Sequence, residues 1–101
     1  MAINVSVRKE TIRCEPQGGH LLAKPNQQID WVGNGVEFTL EFADFRTGKP
    51  AWPFAVPKTP PKWPQAKFSG TLSEDQPLYL KYAVKIDPHE DLDPIIIVDR
   101  N

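Results

Sequence analysis

The stretch YLKYAVKIDPHEDLDPIIIV, residues 79–98, decides the fold, because it reads as two strands joined by a short acidic loop. Leu80, Tyr82, Val84 and Ile86 recur at period two on one side while Tyr79, Lys81, Ala83 and Lys85 take the other, the pattern of a strand with one buried face. Beyond the loop, Ile95, Ile96, Ile97 and Val98 follow one another without a polar residue, as in a strand covered on both faces. This closing strand spans Pro94 to Asp99.

Working outward, the same period-two signal recurs along the chain. Ile3, Val5 and Val7 alternate with Asn4, Ser6 and Arg8, and a short run from Thr11 to Cys14 ends at the glycines and proline of Glu15 to His20. Leu21 to Ala23 and Ile29 to Val32 are further short strands. Gly33-Asn-Gly35 then predicts a hairpin into Val36, Phe38, Leu40 and Phe42, the strand expected at the centre of the core. From Pro50 to Pro64, six of fifteen residues are proline, which excludes a regular helix or central strand there. Order returns at Ala66 to Leu72. Many short strands separated by turns, with no helical periodicity and no internal repeat, predict an all-β Greek-key sandwich of about seven strands over residues 1–101, with one long proline- and aromatic-rich loop at 48–65. The expected core is Val5, Val7, Ile29, Trp31, Phe38, Leu40, Phe42, Tyr82, Val84, Ile86, Ile95 and Ile97.

Length and composition bound the function. A chain of 101 residues and 11.4 kDa holds one domain, and 40% hydrophobic with 25% charged residues is globular. The net charge of −1, with acids and bases interspersed, gives no electrostatic footprint for nucleic acid. No apolar run reaches the length of a membrane span, so no membrane insertion is expected. Cys14 is the only cysteine and forms no intramolecular disulfide. Met1 leads directly into a strand pattern, so the chain reads as cytoplasmic, or as secreted or periplasmic if a signal segment was removed ahead of it.

Three segments together resemble the cupredoxin-like fold of plastocyanin and its relatives: PNQQIDWVGN at 25–34, LYLKYAV at 78–84 and DPIIIV at 93–98. The resemblance implies a sandwich with a copper site at one end, built from two imidazoles, a thiolate and a weak methionine ligand. The chain departs from that set. No histidine stands around Val36 to Thr39, Val84 occupies the place of the cysteine, and Asp93 stands where methionine is usual, leaving His89 as the one match. The resemblance therefore points to a divergent member lacking the copper ligands, with no cofactor. The alternative is a divergent metal carrier or electron-transfer protein using His89 with His20 or Cys14.

Other chemistries find little support. Asp87, Glu90, Asp91 and Asp93 offer oxygen ligands but lack the glycine and spacing of a calcium loop. Cys14 with either histidine lacks an oriented third group, Gly-x-Ser-x-Gly is absent, and the glycine pairs sit in turn-like rather than phosphate-binding contexts. The chain is read as no enzyme. A third class, a small-molecule site, needs an apolar cavity between the sheets. The distinctive segment is the proline-aromatic loop, where Pro57 to Lys62 fits Pro-x-x-Pro-x-Lys, a form that binds aromatic grooves at low entropic cost. Trp52, Phe54, Pro57, Pro60, Lys62 and Trp63 are the candidates for contact with an unknown protein partner or for self-association. The competing expectation is that Trp52, Phe54 and Trp63 fold back over an open edge of the sandwich.

Overall fold

A computed structural model describes residues 1–55 and 61–100. Among these residues eight strands run in chain order: β1 (Ala2–Arg8), β2 (Thr11–Glu15), β3 (Leu21–Ala23), β4 (Gln28–Gly33), β5 (Thr39–Asp44), β6 (Lys67–Thr71), β7 (Tyr79–Lys85) and β8 (Ile95–Val98). They form two four-stranded sheets, ordered β2-β1-β4-β6 and β3-β8-β7-β5. β1 lies parallel to β4 and β3 parallel to β8, so each of these pairs needs a crossover, and the remaining strand pairs are antiparallel. No helix among the described residues is long and apolar enough to cross a membrane.

Alternation sets the two inner faces. Ile3, Val5, Ile29 and Trp31 of the first sheet and Leu40, Phe42, Leu80, Tyr82 and Val84 of the second are all buried. Trp31 is the hub, with its ring centroid 5.3 Å from that of Tyr82 and 5.8 Å from that of Phe42, both edge-on. Such aromatic contacts add about 0.5–1.5 kcal/mol each beyond area burial.

Several expectations change. Gly33-Asn-Gly35 is a corner between the sheets and not a hairpin, since β4 pairs with β1 and β6 whereas β5 pairs with β7. A Cβ at Gly33 would come within 2.0 Å of the Val36 carbonyl oxygen, so the tightness that suggested a hairpin serves a crossing. The strand starts at Thr39; Phe38 instead bridges Gln65. In β8 the phase is opposite to the expected core: Ile96 and Val98 are buried, Ile97 is 39% exposed and Ile95 half-buried. The strand has a free outer face. Val7 and Ile86 are only partly buried, while Ile12, Cys14, Leu21, Ala23, Phe54, Phe68 and Leu72 join the core.

Within the proline-rich segment, backbone bridges from Pro50 to Ala43 and from Phe54 to Leu72 line the outer edges of β5 and β6. Phe54 enters the core because Gly70 lies beneath it; a Cβ on Gly70 would stand 2.5 Å from the ring.

Candidate functional site

The register brings three connections to one end of the sandwich: the β1–β2 turn at Lys9-Glu10, the 34–38 corner and the 86–94 loop. This is the end at which the resemblance implies copper. His89 stands there, its Nδ1 3.0 Å from the Glu10 carbonyl oxygen and its N–H donating to the Ile86 carbonyl at 2.8 Å. Val7, Val36, Ile86 and Leu92, which lie on or beside these three connections, are partly buried against the core. Val84 lies deeper, fully buried and paired with Leu40.

The other two candidates sit elsewhere. The His20 Nδ1 accepts from the Ile95 N–H at 3.1 Å, continuing the parallel pairing of β3 with β8. Cys14 is buried on β2 opposite Val5. Burial pushes its thiol from 9.0 up to about 11, which opposes the thiolate a copper ligand requires. Among the described residues no group of three His, Cys, Asp or Glu side chains is arranged to hold a metal ion. The residues present do not fit a copper set. In the acidic loop, Asp91 binds the Lys85 ammonium at 2.6 Å, and Glu41 lies 3.7 Å from the same nitrogen. Asp91 first, and Glu41 second, raise the Lys85 pKa.

Behind Cys14 lies a buried polar contact that the sequence does not signal. The Tyr82 hydroxyl donates to the Gly19 carbonyl, tying β7 to the 3₁₀ turn Gln17–Gly19. Burial, opposed by a contact with Trp31, pushes the phenol well above its usual 10.0.

The aromatic segment divides into two roles. Phe54 is 3% exposed and packs edge-on against Phe42 at 5.0 Å. Trp52 is half-buried, edge-on to Phe54 at 5.2 Å and to Phe68 at 5.7 Å. These two rings cover the edge, as the fold-back expectation has it, whereas Trp63 does not and is 72% exposed. Lys62 is exposed, and Pro57 and Pro60 lie outside the described residues. Trp63, Pro61 and Trp52 line a small apolar groove of about 10 Å³ together with the buried Phe38, Leu40 and Phe68. A second groove, of about 660 Å³, crosses the outer face of β5 and β7; Ala43 and Ala83 line it beside Pro50, Trp52, Lys81 and Lys85.

No protein-family model and no curated protein sequence matches the chain. Solved structures do. The chain is similar to an amicyanin variant in its reduced Cu(I) form at pH 4, with 18% identity and a TM-score of 0.55 over 97% of this chain and 82% of that one. A second amicyanin variant, with Cu(I), gives the same identity, TM-score and coverage. A third, in the reduced state, shares 17% identity at a TM-score of 0.52. At this distance the likeness concerns the path of the backbone, and with the two sheets and their order it makes the chain a β-sandwich of the cupredoxin-like fold.

Proposed function

We propose that this chain is a non-enzymatic, metal-free cupredoxin-like domain that works by protein contact through the groove between Trp52 and Trp63. The exposure of Trp63, 72% beside a groove of Phe38, Leu40, Trp52 and Phe68, carries the reading, because tryptophan is the residue most often found to anchor a protein contact at the rim of an apolar depression. The packing of Trp52 against Phe42, Phe54 and Phe68 gives that groove a rigid wall.

The two tryptophans are separable by mutation. Trp63→Ala is expected to leave the circular dichroism spectrum and stability unchanged to within about 0.5 kcal/mol while abolishing partner capture from a cell extract. Trp52→Ala is expected to cost about 2–4 kcal/mol through lost ring contacts. Equal capture by wild type and Trp63→Ala would remove the groove from the function.

A second reading, a copper carrier or electron-transfer protein, has the likeness to Cu(I) amicyanin variants and the position of His89 in its favour. Native mass spectrometry before and after copper and zinc loading separates the two. One bound metal per chain that disappears in His89→Ala would replace the interaction reading; a mass unchanged by loading supports it.

A further inference from the structure

The corner between β4 and β5 carries the chain's one Asn-Gly pair, Asn34-Gly35. Both residues are exposed and lie outside strand pairing. An asparagine before glycine is open to attack by its own backbone. The next amide nitrogen closes a five-membered ring on the side-chain carbonyl carbon, and glycine has no side chain to crowd the approach. A folded backbone ordinarily suppresses this reaction by engaging that nitrogen in a hydrogen bond and fixing the torsions on either side. At this corner those restraints are missing. Among the described residues the Gly35 N–H and the Asn34 side-chain amide have no hydrogen-bond partner. Gly35 sits at φ +74, and a Cβ there would meet nothing within 4 Å, so the peptide between the two residues has room to turn.

The other two described asparagines differ. Asn4 lies inside β1, ahead of the branched Val5, and the Asn26 side-chain amide donates to the Glu74 carboxylate at 3.1 Å.

We infer that Asn34 is a site of spontaneous covalent modification. The Gly35 amide nitrogen loses its proton to hydroxide and bonds to Cγ of Asn34, while the Cγ–Nδ2 bond breaks and ammonia leaves. Water then opens the resulting succinimide. Attack at Cγ gives aspartate, and attack at the former main-chain carbonyl gives isoaspartate; no oxidant, metal or cofactor enters. The two products act differently on the corner. Aspartate places a carboxylate in the groove of about 320 Å³ that Asn34 shares with Arg8 and Glu15, and makes the net charge of −1 one unit more negative. Isoaspartate routes the main chain through the side chain and lengthens it by one atom. The insertion falls between the Asn34 N–H, held by the Val5 carbonyl at 2.8 Å, and Val36, whose carbonyl lies against Gly33. Val36 is packed against the core, so the added atom strains the crossing between the sheets.

Peptide mapping by mass spectrometry tests this on the native chain held at body temperature in neutral and in mildly alkaline buffer. Conversion at Asn34 over days is expected, faster in the alkaline buffer, with Asn4 and Asn26 intact. The native rate is expected within several-fold of that in the urea-unfolded chain, and the isoaspartate form is expected to unfold at lower urea than the aspartate form. Gly35→Ala slows conversion many-fold. Because alanine meets left-handed strain at this position, Asn34→Gln is the second variant; its longer side chain closes a larger ring and stays unconverted with an unchanged circular dichroism spectrum. A chain that converts only after unfolding, equal conversion at Asn4 or Asn26, or a folded Gly35→Ala chain converting as fast as wild type overturns the proposal.

Discussion

At Gly19 a single hydrogen atom in place of a side chain holds three elements together. The residue has φ +86, and a Cβ there would lie 2.7 Å from the Tyr82 hydroxyl oxygen, 2.9 Å from Pro94 and 3.0 Å from Cys14. Gly19→Ala therefore combines left-handed strain with overpacking and is expected to cost about 2–4 kcal/mol, read from the midpoint of urea unfolding. Tyr82→Phe leaves the Gly19 carbonyl without its donor and is expected to cost about 1–3 kcal/mol. The same neighbourhood sets a dependence on pH. Burial holds Cys14 protonated up to about 11 against an ordinary 9.0 and raises Tyr82 above 10.0, so in the alkaline range the unfolded chain releases these protons first. Stability is fully present below about pH 9, declines through the Cys14 interval and keeps declining above pH 10 as unfolded tyrosine ionises. Denaturant midpoints from neutral pH to about pH 11 should fall for wild type and fall less for Cys14→Ala, whose remaining slope reports Tyr82. The sequence marks none of this, because the contact joins residues 63 positions apart through a backbone carbonyl.

The legibility of a strand depended on whether polar residues marked its wet face. β7 was readable because Lys81 and Lys85 stand opposite Leu80, Tyr82 and Val84, and the buried face came out as expected. In β8 four consecutive apolar residues leave the phase undetermined, and Ile97, expected in the core, is exposed. Turn chemistry had the complementary weakness: Gly33-Asn-Gly35 located a reversal without saying that the next strand joins the other sheet. The β1–β2 hairpin was hidden, because its turn is built from Lys9 and Glu10 at φ 50 and 65, a conformation for which asparagine and glycine are the usual residues. Lys9→Asn with Glu10→Gly is accordingly expected to raise stability by about 1–2 kcal/mol, measured by denaturant unfolding, while the Glu10 carbonyl stays in place beside His89. For the candidate site, the spacing of Trp52, Phe54 and Trp63 carried no period from which their burial could be ranked. Only the packing over Gly70 and Phe42 separates the two covered rings from the exposed one.

Across the whole molecule, one aromatic cluster joins both sheets and the proline-rich segment. Phe42 touches Trp31, Trp52, Phe54 and Tyr82, with centroids from 5.0 to 5.8 Å apart. Phe42→Ala should therefore loosen both sheets in one cooperative transition, costing about 3–5 kcal/mol, with tryptophan fluorescence and circular dichroism changing together. Order within the sheets has a separate effect. β8 occupies an interior position between β3 and β7, although it follows them both in the chain. During synthesis, a ribosome that has not yet released residues 95–98 carries a chain whose β3 and β7 cannot be joined. Leu80, whose register partner is Ile96, remains without that neighbour over the same interval, and the facing edges of β3 and β7 stay open to pairing with another chain.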